Sequence, residues 1–201
     1  MSLLYSAAEW SWMHWEPLLE WVAAVLSLAC VWLAARNKIW NWPVSMLASL
    51  AYAWVFYRAG LVSDAVLQGV FLLFQSYGWW QWASPGKGPL PISHASRVWY
   101  VGTLALAALL YGPWVQAVSH LKPDASFIQV DAALTLLSIS ALFWQSRRWI
   151  ENWYLWVLVD LVYVPLYWFN GQRVTSVLYA LFLLLCLSGY RQWRSELTSR
   201  A

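Results

Sequence analysis

Charge is scarce in this chain. Asp, Glu, Lys and Arg make up 10% of 201 residues, against roughly 25% in a soluble domain. That poverty excludes an ordinary water-soluble fold, and with so few cations it gives no basic surface on which nucleic acid would sit. Cysteine is limited to Cys30 and Cys186; both fall in apolar runs, outside any C-x-x-C or His-paired cluster, so neither a disulfide framework nor a metal site is expected and both read as small core residues. His14, His94 and His120 are isolated near span ends or loops and suggest no proton relay. The first residues lack a basic n-region and an A-x-A site, so no removable signal peptide is expected. What the chain has in quantity is apolar and aromatic: 62% hydrophobic residues, nineteen Trp and a mean hydropathy of +0.51. This is the composition of an all-α polytopic membrane protein.

Seven spans follow from the apolar runs, near 17–35, 39–57, 63–83, 98–117, 126–145, 149–169 and 173–191. Residues 1–16 are too polar to cross, but Trp10, Trp12 and Trp15 suit an interfacial segment. Counting Lys and Arg on alternate sides gives Arg36, Lys38, Lys87, Arg97, Arg147, Arg148, Arg191, Arg194 and Arg200 against Arg58, Lys122 and Arg173. This bias places the N-terminus outside and the C-terminus in the cytoplasm.

An internal repeat organises the spans. An offset of 111 pairs Glu20/Asp131, Ser27/Ser138, Arg36/Arg147, Asn41/Asn152, Trp42/Trp153, Tyr52/Tyr163, Gly60/Gly171, Leu67/Leu178, Gly78/Gly189, Gln81/Gln192 and Trp82/Trp193 without a gap. Chance apolar similarity does not align Asn, Arg, Gly and Gln. The expected units are therefore a first three-helix unit (17–83), an inner linker and fourth helix (84–125), a second three-helix unit (126–193) and a tail (194–201). One span separates the units, so both enter the membrane in the same orientation. Parallel repeats of this kind carry a solute site near the midplane between them.

The chemistry concentrates in the sixth span, where Asn152, Trp156, Asp160 and Tyr163 follow helical spacing on one face. A charged Asp at the bilayer centre costs roughly 2.5–3.5 kcal/mol, so such an acid faces a polar cavity or partner. Across the repeat the same face reads Asn41, Ser45, Ser49 and Tyr52; a Trp and an acid thus replace two serines, and the binding surface is asymmetric. On the third span Asp64, Gln68 and Gln75 share a face, where the seventh span has Thr175, Tyr179 and Cys186. An acid between Trp faces and amides suits a flat, cationic, hydrogen-bonding solute. The competing structural roles are helix–helix hydrogen bonding for Asp160, Gln68 and Gln75, interfacial belt for most Trp, a shared role near the interface for Glu20 and Asp131, and close packing for Gly78 and Gly189. An intramembrane enzyme is the rival class; against it, Asp160 has no second acid in its span and no nucleophile–base or metal pattern accompanies it. A receptor that binds without transporting is the third.

With Asn152-Trp-x-x-Trp156-x-x-x-Asp160, Gln68-x6-Gln75-x-Tyr77-Gly78-Trp79 and Gly189-Tyr190-x-x-Trp193, the chain resembles the PnuC family of vitamin transporters over all seven spans. The resemblance implies a three-plus-one-plus-three fold similar to SWEET sugar transporters. It also implies facilitated diffusion in the bacterial inner membrane without a cofactor, and trapping of the vitamin by a cytoplasmic kinase. The best-known branch carries nicotinamide riboside; other branches are associated with thiamine and riboflavin. Some relatives have Asn where this chain has Gln75 or Asp160, a departure that bears on which vitamin is carried. On this reading Trp156 and Trp153 stack on the vitamin, Asp160 supplies charge, and Asn41, Asn152, Gln68 and Gln75 supply hydrogen bonds. The remaining partners are membrane lipid and, as an open question, further copies of the chain.

Overall fold

The computed structural model describes residues 7–58, 62–83, 90–121, 127–169, 171 and 173–199, and the side chains of these from Leu18 onward, except those of Glu20, residues 62–64 and residue 174. The expectations for Glu20, Asp64, Gly60 and the Pro/Gly-rich residues 84–89 lie outside the described residues. Seven helices appear among the described residues: α1 (Ala7–Ala35), α2 (Asn41–Arg58), α3 (Val62–Ala83), α4 (Arg97–Leu121), α5 (Ile128–Ser146), α6 (Asn152–Phe169) and α7 (Arg173–Thr198). Each has at least 18 residues, and at 1.5 Å per residue even the shortest reaches about 27 Å, enough to cross a hydrocarbon layer. Over their best 18-residue stretches α4 and α5 have a mean hydropathy of 1.5 and 1.3. Large apolar side chains such as Val98, Leu109, Leu158 and Leu184 stay exposed around the outside. A surface that apolar is untenable in water and ordinary against lipid.

Two ends differ from expectation. Residues 7–16 are continuous with the first span in α1, so no break separates the interfacial segment expected at 1–16 from it. The α7 helix runs on to Thr198 where a tail was expected from 194. It is held there by contacts: Asn37 Nδ2 donates to Glu196 Oε2 at 3.0 Å, and Leu197 packs on the core.

The helices close into a ring. α1 packs on α2, α2 on α3, α3 crosses to α5, α5 packs on α6, α6 on α7, and α7 returns to α1. Adding 111 exchanges α1–α3 with α5–α7 and maps the ring on itself, a pseudo-two-fold along the membrane normal. α4 lies outside the ring, packs on α5 and buries none of its residues. Tyr100 stacks on Trp144 at 5.1 Å and Trp99 meets Phe143 and Trp149 at 6.1 and 6.2 Å.

The packing repeats as closely as the sequence. Trp42 meets Trp82 edge-on, with centroids 5.4 Å apart at 88°; Trp153 meets Trp193 at 5.4 Å and 87°. Trp42 lies against Gly78 and Trp153 against Gly189, so closely that a Cβ on either glycine would fall 2.3 or 2.5 Å from the indole. The indole of Trp82 donates to Ser146 O at 3.1 Å and that of Trp193 to Ala34 O at 3.0 Å. Each thereby ties its indole to a carbonyl in the last turn of a helix in the other unit; the Ala34 carbonyl also accepts from Asn37 N at 2.9 Å. Buried residues of α2 and α6 all lie in their first nine residues. The ring is thus sealed on the face that carries the α1–α2 and α5–α6 turns.

Those two turns share a backbone. Asn37 and Arg148, partners in the repeat, both take left-handed φ, 55° and 54°, the conformation that stops a helix sharply. Asn41 Nδ2 donates to Lys38 O at 2.7 Å and Asn152 Nδ2 to Trp149 O at 2.6 Å, which fastens each turn to the helix after it. The segment before α4 is pinned to the second turn. Ser93 N donates to Arg148 O at 3.1 Å and Ile150 N to Ser93 O at 3.0 Å, the Arg148 guanidinium donates to Leu90 O at 2.6 Å, and Glu151 accepts from Ala95 N at 3.0 Å while pairing with His94 at 2.7 Å.

Candidate functional site

Two polar layers lie inside the ring, and the repeat defines both. In the first unit Gln75 Nε2 (α3) donates to Ser49 Oγ (α2) at 2.9 Å. At the equivalent place in the second unit Cys186 Sγ (α7) reaches Asp160 Oδ2 (α6) at 3.5 Å. Ser49 corresponds to Asp160 and Gln75 to Cys186, so the same inter-helix pair has been rewritten, from amide and hydroxyl to thiol and carboxylate. Asp160 is 3% exposed. A thiol is a weak donor, a thin counterpart for a carboxylate at this depth.

Nearer the sealed face lies the second layer, a chain of three residues. Trp156 Nε1 (α6) donates to Gln145 Oε1 (α5) at 3.1 Å, and Gln145 Nε2 donates to Asn41 Oδ1 (α2) at 3.2 Å. Chemistry fixes its polarity. An indole N–H only donates, so it must face the amide oxygen of Gln145; the Lys38 carbonyl only accepts, so it must hold the amide nitrogen of Asn41. Eight residues of α6 separate Asn152 from Asp160, about 12 Å along the axis, with Trp156 midway. Trp156 is half-buried and packs against two core clusters, one shared between the units and one within the second unit.

The expected site residues divide accordingly. Asn41, Trp156, Gln75 and Asp160 belong to these layers. Asn152 is fully buried, with Nδ2 spent on the turn and Oδ1 without a partner; Gln75 Oε1 is likewise buried and unpartnered. Tyr163 lies further along the stripe, toward the opposite face. Its hydroxyl donates to Asp131 at 3.2 Å, and its ring packs with Tyr167 and Tyr179 at 5.3 and 4.7 Å. Gln68 is half-buried on α3, one helix face with Gln75. Trp153 is 1% exposed, with Gly189 against its ring and Trp193 on its edge, the same packing that Trp42 has. Sequence reasoning passed over Gln145, whose repeat partner is Ala34, and took Cys186 for simple core although it stands where Gln75 stands in the other unit. A hollow of about 300 Å³, lined by His94, Tyr154, Tyr190, Arg194 and Thr198 among others, sits at the sealed face and contains none of the expected site residues.

A lipid-facing belt around a ring of two parallel three-helix units, joined by one outer helix and holding an asymmetric polar interior, defines a multi-pass membrane transporter and not an enzyme. A family model described as nicotinamide mononucleotide transporter matches residues 17–195, and the chain belongs to that family. Among its relatives are the riboflavin/roseoflavin transporter RibM of Streptomyces davaonensis, 32% identical over 191 residues that cover 90% of this chain and 87% of that one, and the nicotinamide riboside transporter PnuC of Escherichia coli, 26% identical over 212 residues that cover 90% and 88%. The crystal structure of the vitamin B3 transporter PnuC superposes with a TM-score of 0.73 at 21% identity, covering 92% of this chain and 83% of that one; this likeness establishes the shared fold.

Proposed function

We propose that the chain carries nicotinamide riboside across the bacterial inner membrane by facilitated diffusion. The observation that carries this reading is Asp160, a buried acid whose hydrogen-bond donor among the described residues is a thiol. A carboxylate so weakly matched favours a cationic ligand, because breaking or lacking a buried ion's partner is costly. The pyridinium ring of nicotinamide riboside supplies a flat cation for Trp156, at roughly 0.5–2 kcal/mol for such a contact. Its carboxamide and ribose supply N–H and O–H donors for the acceptors of Asn152 and Gln75. The two units rock about this layer, opening first one face and then the other, with the N-terminus outside and the C-terminus in the cytoplasm. A cytoplasmic kinase then traps the vitamin by phosphorylation, so no ion gradient is consumed.

The PnuC relatives support this substrate. Thiamine, also cationic and aromatic, fits the same argument. Riboflavin is the second reading, favoured by the RibM relative at 32% identity, and it differs in carrying a neutral ring. Uptake of each labelled vitamin into liposomes holding only this protein separates the three, and also distinguishes transport from mere binding. The expected result is nicotinamide riboside uptake that Asp160→Asn reduces about tenfold. Riboflavin uptake indifferent to Asp160→Asn, with no uptake of either cation, would overturn the reading.

A further inference from the structure

We infer that Gln145 is a positioning residue that couples the Trp156 ring to the seam between the two units. The inference rests on the reading of Trp156 as the surface on which the vitamin stacks. Gln145 and Trp156 belong to the second unit and Asn41 to the first, so the Gln145 Nε2 to Asn41 Oδ1 bond, at 3.2 Å, crosses the seam. The other end of the same amide holds the indole at 3.1 Å. Gln145 is 8% exposed, which shields both bonds from competing water. Neither partner can turn to compensate, because the indole only donates and Asn41 is already committed to Lys38 O at 2.7 Å.

The repeat shows that this joint exists on one side only. The residue equivalent to Gln145 is Ala34, and the acceptor equivalent to Asn41 Oδ1 is Asn152 Oδ1, which is buried without a partner. One seam is tied by an amide and its twin is not. The tied seam is the one attached to Trp156, itself the replacement for Ser45. The two departures from symmetry therefore meet in a single hydrogen bond. Ligand held on Trp156 and closure of the seam at Asn41 share one rigid intermediary, so a disturbance at either end is felt at the other.

A double-mutant cycle on ligand affinity tests this. Gln145→Met keeps the volume and removes both bonds; Asn41→Ala removes the acceptor across the seam together with the Asn41 bond to Lys38 O, whose effect on the fold the melting temperature reports. Each single variant, and the double variant, is purified in detergent, its melting temperature recorded, and nicotinamide riboside titrated, with riboflavin as the second probe. The expected result is a Kd raised about fivefold by Gln145→Met, about fivefold by Asn41→Ala, and about fivefold again, not twenty-five-fold, by the two together. A multiplicative loss would make Asn41 and Gln145 independent ligand contacts, and an unchanged Kd in Gln145→Met would make the bond merely structural; either overturns the inference. Should either single variant fail to fold, Trp156→Phe, which keeps a ring but gives Gln145 no N–H, takes its place in the cycle with the same criterion. Wild-type protein that binds riboflavin alone would instead defeat the substrate assignment, and the cycle would then be read with riboflavin.

Discussion

Gly78 and Gly189 are small because Trp42 and Trp153 need the room. A methyl at either position would meet the indole ring at 2.3–2.5 Å, in a layer where each Trp is already wedged against a second Trp. Overpacking of that kind costs typically 1–3 kcal/mol. Gly78→Ala and Gly189→Ala should each lower the detergent melting temperature by several degrees, whereas Gly69→Ala and Gly102→Ala, with nothing within 4 Å, should leave it equal or higher. Thermal unfolding followed by Trp fluorescence checks the contrast. For ligand binding, Trp156→Ala should weaken nicotinamide riboside at least tenfold, while Trp153→Ala should act on stability; loss of affinity in both at unchanged stability would count Trp153 among the ligand contacts. The sequence carried part of this. The matched intervals Trp42 to Gly78 and Trp153 to Gly189 hold the packing signal, but identity across a repeat does not say whether a ring faces ligand or protein. Gln145 was missed for another reason: the two halves were compared on the second and third spans of each unit, and Gln145 against Ala34 is a disagreement on the first.

The helix positions follow from the apolar runs to within a few residues, because a span must be long, apolar and internally hydrogen-bonded to cross lipid. The turns between them needed tertiary information. Asn37 and Arg148 stop their helices with left-handed φ, yet only the Asn is a residue that favours it. Arg148 is kept there by its guanidinium, which sits 4.0 Å over the Trp82 ring and donates to Leu90 O. The prolongation of α7 past 193 was equally hidden, since it depends on Asn37 and Glu196 meeting across 159 positions of chain. The segment before α4 is held at Glu151 by a backbone N–H and by His94. Glu151→Ala should release it, and limited trypsinolysis should then cleave after Arg97 severalfold faster; unchanged cleavage would show that the Ser93 and Arg148 backbone bonds suffice.

At the scale of the molecule, two like groups of three helices were legible as a repeat, and Trp156 and Asp160 in place of serines marked where the halves differ. What the sequence could not supply was the order in which the helices touch: α3 against α5 and α7 against α1, with Trp82 and Trp193 reaching across each seam to a helix end. Facilitated diffusion, as proposed, would need no coupled ion. Uptake into liposomes should be unchanged, within about twofold, when proton and sodium gradients are collapsed, and accumulation above the outside concentration without a kinase would contradict that.

The bare α4 helix has a consequence for what can be exchanged. None of its residues is buried, and it holds the ring through Trp99 and Tyr100 against Trp144, Phe143 and Trp149, with Leu104 packed on the same core. Its letters are therefore nearly free, while its existence is not. It supplies parity: an odd number of crossings between two like halves keeps both facing the same way, and an even number would turn one over. A Leu/Ala-rich helix of the same length, with Trp99 and Tyr100 kept, should serve as well. Deletion should produce a chain whose halves are individually sound and jointly mismatched, like a pair of gloves for the same hand.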